Sequence, residues 1–528
     1  MRSYLLFLFF LLAFCFTMWG QEPATTNAKP ASSAAAASPE ADSLKSAQAL
    51  LRERKYEEAA TAFQAIVEKS PQSADARAGL IRSLMRSSRN REAEQAGKNA
   101  LAAIPSSALI SATVGDVAFR EGKFGEAEAA YRGAVKLDNK SARAWFGMGL
   151  IYDMVSMHKQ AKNAFAHAHD LDPDDGQISQ HWRAALPYAE RLEAAKKAYG
   201  GHPSEDEQEE IKFLAAVAAK KPFVLASEIK PTEIKMLPYG KELVGINQAA
   251  SVGAVNISKG YGLQLKFNGR VGAVLLLDTG AGGIIIGRKL AEKVGVVKIA
   301  ETTYSGIGKE GPIKSYLGWV DKINIGNVEF HDYIVEVSSR TDINDEAGLI
   351  GADVFEKFLV TLDFKEWKMF LNPLPKNPNA SGNEDEPQDR YIAPEMQSYA
   401  KIFRFGHDLV IPVLVSDSVN GNFILDTGAM MNTISPLLMA QITKLSNEGD
   451  TVKGVSGSMK VLTGDKATLQ FAKVRVRSDD IPAVPINMGS TEIAGLIGIK
   501  TLVQMKMTID YRDGLVNLEV YNFRPARE

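Results

Sequence analysis

The stretch LLLDTGAGGIII, Leu275–Ile286, sets one carboxylate between an apolar run and a glycine turn. An acid in such a place is unfavourable unless it is paired or hydrogen-bonded, so the surroundings must be built for it. A second stretch, FILDTGAMMNTI at Phe423–Ile434, repeats the arrangement. With Asp278 and Asp426 as origins, further landmarks fall in step. Gly306 and Gly454 each follow their Asp by 28 positions, and the run GLIG starts 70 residues after the first Asp and 69 after the second. VTLDFKEWKMFL and MTIDYRDGLVNL then match, with Asp363 and Asp510 at 85 and 84. A lone Asp-Thr-Gly arises by chance in about one chain in ten of this size. Two in register over more than eighty residues mark one domain present twice.

Both regions read as β structure: short Val, Ile, Leu and Phe runs broken by Gly, over 222–373 and 399–528. The Pro, Asn, Gly and acid content of 374–398 predicts a linker between them. Ahead of them the chain changes period. Ala59, Ala93, Ala127 and Ala161 recur every 34 residues, as do Pro71, Pro105, Asn139 and Pro173. Trp145, Met148, Gly149, Tyr152, Ala161, Phe165, Ala168 and Pro173 resemble the tetratricopeptide repeat at each spacing. Residues 42–199 are therefore expected to form an all-α solenoid ending in a capping helix over Gln177–Tyr199. Gly97 stands where an aromatic is favoured and Ser111 where a Trp is. Residues 200–221, with PSEDEQEEIK, read as a charged connector, and Ser204–Lys221 as a candidate pro-segment.

The amino terminus has an apolar run over residues 4–19 behind Arg2, which predicts a signal peptide at 1–20 and a periplasmic or secreted protein. An uncleaved run would instead anchor the chain to a membrane. Residues 21–41, rich in Ala, Ser, Pro and Thr, read as a flexible tether. Cys15, the sole cysteine, lies inside the signal, so cleavage leaves a chain with no disulfide. A length of 528 residues predicts several domains, and 23% charged residues with net charge −2 give no field for nucleic acid.

The two DTGA motifs, the glycine-bearing hairpins and the Leu-Ile-Gly runs resemble the retropepsin-like aspartic peptidases. That resemblance implies two all-β lobes forming a pseudo-dimer within one polypeptide, each lobe supplying one catalytic Asp. Two neighbouring carboxylates cannot both ionise easily, so the pair offers a base for water and an acid for the substrate carbonyl; aspartic proteases are the standard illustration of this behaviour. Asp278 and Asp426 are expected to titrate as a pair. The resemblance further implies that Thr279 and Thr427 hydrogen-bond across the lobe interface. Gly280 and Gly428 let the backbone approach the carboxylates. Ala281 and Ala429, standing where pepsin-like relatives often carry Ser, remove one side-chain donor and point to activity from mildly acidic to near-neutral pH. Gly306, Ile307 and Gly308 in one lobe, and Gly454, Val455 and Gly457 in the other, fall at the flaps over the substrate. Gly282 and Gly283 against Met430 and Met431 predict an asymmetric cleft.

The expected activity is that of an endopeptidase on polypeptide substrates, with no cofactor and no metal, and with a protein partner on the repeats. A peptide-binding scaffold without turnover and a protease active only as an intermolecular dimer are the alternatives. GIGKEG at Gly306 is followed by Pro312 and a strand-like run, not the helix a dinucleotide site needs. His158, His167 and His169 lack the spacing of a zinc motif.

Overall fold

A computed structural model describes residues 39–239, 242–244, 255–257, 260–304, 306, 312–339, 348–382, 386–445, 450–454, 457–488 and 491–521. The expected signal and nearly all of the expected tether lie outside these residues. No described helix is long and apolar enough to cross a membrane.

Eleven described helices, from Pro39–Arg52 to Glu205–Ala219, form a tetratricopeptide-like solenoid. The 34-residue register has a direct packing meaning. Phe63, Tyr131 and Phe165 occupy equivalent places and are buried. A methyl on Gly149 would collide with the Phe165 ring, as one on Gly115 would with Tyr131. Small residues thus admit the aromatics that fill the helix pairs. At Gly97, where the aromatic is missing, Val114 closes in and would stand 3.1 Å from an added methyl. The expected single capping helix is two, Gly176–Ala184 and Tyr188–Tyr199, because Pro187 interrupts the run.

The charged connector is a helix as well. Ser204 and Glu207 form a capping box, the acids of the first turn suit its amino-terminal dipole, and Glu205–Ala219 follows. Its buried face, Phe213, Leu214 and Val217, packs on Ala300, Leu317 and Ile334 of the first β lobe. Most of the charges prominent in the sequence lie on the outer face of this amphipathic helix, while Glu210 is buried and paired with Arg191 at 3.2 Å.

Each β lobe is built on one large sheet: nine strands among residues 224–351 and eight among residues 403–498. A third sheet of six strands joins them, ordered Ala400–Lys401, Leu515–Val520, Met505–Asp510, Phe358–Asp363, Lys368–Pro373, Thr232–Lys235. At its centre Leu359 pairs with Asp510, Asp363 with Lys506 and Thr361 with Thr508. Equivalent residues exchange partners, as a twofold axis requires, and the Thr361 and Thr508 hydroxyls meet on it at 3.0 Å. One continuous apolar core runs from Ile234 through both lobes to Leu518.

The expected linker is only partly a linker. Arg390 donates to the carbonyls of Asp513, Ile402 and Gly514, Tyr391 N–H donates to Asp513, and Ala393 and Met396 are buried against Leu515. Asp389 bridges to the solenoid at Met157 and accepts from the Gln160 N–H. The solenoid also docks on the second lobe, where Phe119 and Phe124 pack on Phe403 and Phe405 and Asn422 donates to the Gly122 carbonyl at 2.6 Å.

Candidate active site

The two Asp-Thr-Gly loops close on each other between the lobes. Strand Val271–Asp278 lies parallel to Gly348–Gly351, with Asp278 opposite Gly351; Val419–Asp426 lies parallel to Gly495–Gly498, with Asp426 opposite Gly498. Each Asp therefore ends a strand that is partly buried toward the acid, and is held beside the Leu-Ile-Gly run.

The threonines lock this arrangement. Thr279 Oγ1 donates to the Leu425 carbonyl at 2.6 Å and accepts the Thr427 N–H at 3.0 Å. Thr427 Oγ1 donates to the Leu277 carbonyl at 2.9 Å and accepts the Thr279 N–H at 3.0 Å. Four reciprocal bonds between buried groups fix the carboxylates relative to one another. Gly280 and Gly428 face the opposite acid: a methyl on Gly280 would stand 2.8 Å from Asp426 Cγ, and one on Gly428 would overlap the Asp278 carboxylate.

Asp278 and Asp426 are hydrogen-bonded to each other. Each carboxyl keeps some exposure, yet protein crowds it closely. Burial first, and then the neighbouring Asp426, hold Asp278 well above the usual carboxylate range. Burial also raises Asp426, but its Oδ1 accepts N–H groups from Gly428 at 2.8 Å and Ala429 at 2.9 Å. Asp278 accepts a single N–H, from Gly280 at 2.8 Å, while the Ala281 N–H turns to the Asp278 main-chain carbonyl. The second N–H donor favours the ionised form at Asp426, so Asp278 is the carboxyl held higher of the two. The alanines lack a side-chain donor, as their identity dictates, but Ala429 supplies a main-chain donor that Ala281 does not.

Gly306 is exposed at the flap position, and Gly454 pairs with Gly457 across the second hairpin. Ile307, Gly308 and Val455 lie outside the described residues. Asp363 and Asp510 sit at strand ends in the six-stranded sheet, outside the dyad.

Three residues beside the dyad escape a reading of the sequence alone. Asp353, just past the first GLIG, accepts the Gly283 N–H with both oxygens at 3.0 and 3.1 Å; burial raises its pKa to about 6. His407 is pushed down by burial and hydrogen-bonds the Gly280 backbone. Asp408, 3.6 Å from His407, is held well above the usual range by burial and then by Asp426. The run DLVIPVLV carries the same signal that exposes Asp278, an acid at the edge of an apolar strand. Among the described residues no group of His, Cys, Asp and Glu could hold a metal ion.

Residues 263–354 match the family model described as aspartyl protease. Residues 44–108 and 115–154 match the tetratricopeptide repeat. The chain thus carries an aspartyl protease domain behind tetratricopeptide repeats. The protease match lies within the first lobe, and the twofold register relates the second lobe to it. No curated protein matches the chain. Similar solved structures include a thermophilic tetratricopeptide protein of Thermus thermophilus, TTC0263, at 19% identity over 34% of this chain and 99% of that one, TM-score 0.30. Pseudomonas aeruginosa pilF is 20% identical over 34% of this chain and 85% of its own, TM-score 0.29.

Proposed function

We propose that this protein is an exported aspartic endopeptidase of the retropepsin-like type, with both catalytic carboxylates supplied by one chain. The observation that carries the reading is the hydrogen-bonded pair Asp278 and Asp426, held by the reciprocal threonine bonds. In this reading a water lies between the carboxyls. Asp426, ionised, takes a proton from it as the oxygen attacks the peptide carbonyl, and Asp278 gives its proton to the carbonyl oxygen. The tetrahedral diol then collapses: Asp426 passes its proton to the departing nitrogen, the C–N bond breaks, and Asp278 recovers a proton from the diol. The solenoid, docked on the second lobe beside Phe403 and Phe405, serves protein interaction close to the cleft.

The pH dependence follows in sign. Asp278 retains its proton above the ordinary carboxylate range, so activity extends toward neutral pH and is lost as pH rises through that raised value. On the acid side it is lost as Asp426 becomes protonated. The test is hydrolysis of a mixed peptide library between about pH 3 and about pH 8, with Asp278→Asn and Asp426→Asn each expected to reduce the rate about 10²- to 10⁴-fold. A wild type that retains peptides but never cuts them would make the cleft a peptide clamp. Export is read from the apolar run after Arg2, and amino-terminal sequencing of the mature protein tests it.

A further inference from the structure

The second lobe sends a turn across to the first. Its strand Phe403–Phe405 pairs with Asp408–Val415, Phe403 opposite Val410 and Phe405 opposite Asp408, so only Gly406 and His407 close the hairpin. Gly406 has φ +64°, the left-handed backbone on which two-residue hairpin turns rely. In the first lobe Leu237 lies opposite Gly262 and Tyr239 opposite Gly260, and residues 240–259 stand where Gly406 and His407 do. The equivalence comes from the strands that end in the two acids: Gly262 lies opposite Leu276 and Val410 opposite Ile424, each two residues before its Asp. His407 therefore has no single twin, and its turn belongs to one lobe alone.

The same register carries Asp408 to the level of Asp426, which brings the turn to the dyad. From there the His407 ring reaches the other lobe and donates an N–H to the Gly280 carbonyl. Among the described residues no main-chain N–H donates to that carbonyl. Gly280 is the residue that meets both acids: its own N–H donates to Asp278 Oδ1 at 2.8 Å, and a methyl on it would stand 2.8 Å from Asp426 Cγ. The His407 side chain is 13% exposed, with Nε2 3.6 Å from Asp408 Oδ2 and with Asp353, Asp426 and Arg404 as its other charged neighbours. Its backbone is fixed as well. Arg404 donates to the Gly406 carbonyl at 2.6 Å and to the Tyr511 carbonyl at 2.5 Å, while Phe403 and Phe405 pack on Phe124 of the solenoid. A histidine on so firm a turn can hold the loop it touches, and that loop carries the opposite acid.

We propose that His407 is a positioning residue for the dyad: its N–H on the Gly280 carbonyl keeps the Gly280 N–H on Asp278 and Gly280 itself against Asp426, so a turn of the second lobe sets the acid of the first. Its bearing on the reaction rests on the dyad being catalytic, as in the proposed function, but its hold on the loop is tested apart from catalysis. In the full chain, His407→Phe keeps a ring and removes the donor, whereas His407→Asn and His407→Gln offer an amide N–H at the reach of Nδ1 and Nε2 respectively. Hydrogen exchange read by mass spectrometry should quicken about tenfold over residues 279–283 in His407→Phe, as loss of one hydrogen bond implies, and stay unchanged over the twin loop 427–431. One of the two amide variants should restore slow exchange. Peptide hydrolysis by the same proteins should show kcat about tenfold lower in His407→Phe with KM within about twofold, restored by the same amide variant. Should His407→Phe fail to fold by thermal melting, the contrast is read between Asn and Gln, which place the donor differently. Unchanged exchange over 279–283, an equal rise in both loops, restoration by neither amide, or an unaltered kcat on a loosened loop each overturns the inference. Loop-selective exchange in a protein whose wild type never cuts defeats the protease reading alone, and cutting with exchange unmoved by His407→Phe defeats this inference alone.

Discussion

The two β lobes carry the same backbone device and surround it with different polar groups. In the first, the loop after Asp278 is pinned by Asp353, which accepts the Gly283 N–H. In the second, Asn432 does this work, accepting the Gly498 N–H at 2.9 Å and donating to Ser478 and Thr501. Asp408 and its partner His407 belong to the second lobe; the residue equivalent to Asp408 in the first is Gly260. Duplication preserves what the twofold axis needs, and the lobes differ in the polar side chains that hold each loop. Two unlike halves can favour a proton on one carboxyl of the pair over the other.

The glycines facing the acids give the sharpest test of that difference. Gly428→Ala drives a methyl into the Asp278 carboxylate, whereas the methyl of Gly280→Ala stands 2.8 Å from Asp426 Cγ, so the first requires the larger displacement. Because misplacement near 1 Å can lower rates about 10²-fold, Gly428→Ala should lose at least that much activity and Gly280→Ala about tenfold. Steady-state hydrolysis decides it. Equal losses would mean that the dyad yields symmetrically and that proton placement is not set by the loops.

The threonine lock should behave symmetrically. Thr279→Val removes the donor to Leu425 and the acceptor for Thr427 N–H, both buried, and Thr427→Val does the same in mirror image. Each substitution should destabilise by about 2–4 kcal/mol, since two buried groups lose their partner. Urea denaturation measures this. A double variant that costs much less than the sum is expected, because the four bonds form one network; full additivity would show that the two halves of the lock act independently.

Much of this is legible in the sequence because it is periodic. The 34-residue repeat and the paired Asp, Gly and GLIG landmarks specify backbone geometry that recurs, and recurrence can be counted. The fold class, the pairing of Asp278 with Asp426 and the threonine bonds follow from such counting together with the family resemblance. What escapes is what occurs once. Asp353, His407 and Asp408 gain their meaning from segments distant in sequence, and no internal repeat flags them. The helix Glu205–Ala219 is hidden differently: its acids suggest a connector, though Phe213, Leu214 and Val217 recur at helical spacing behind them. The linker expectation fails for a related reason, since Arg390 and Tyr391 are anchored by Asp513, far along the chain.

The smallest effect expected of the lobe comparison concerns the equivalent pair Asp363 and Asp510. Asp363 lies 2.9 Å from Lys506 Nζ and accepts from the Tyr521 hydroxyl at 2.8 Å; these partners outweigh burial and lower its pKa. Asp510 is wholly buried beside the Asp513 carboxylate, and burial raises its pKa to about 7. The linkage signs are opposite. A lowered carboxyl stabilises above its unfolded value near 4 and loses that contribution as pH falls; a raised one stabilises below about 4 and loses its contribution as pH climbs toward about 7. Asp363→Asn should therefore weaken the protein at neutral pH by about 1 kcal/mol, a deficit that shrinks on acidification. Asp510→Asn should flatten the decline of stability between about pH 4 and about pH 7. Denaturation midpoints across that range check both. If the two variants shift in the same direction, the pairing of Asp363 with Lys506 is not what separates these symmetric positions, and the divergence of the lobes stops at the cleft.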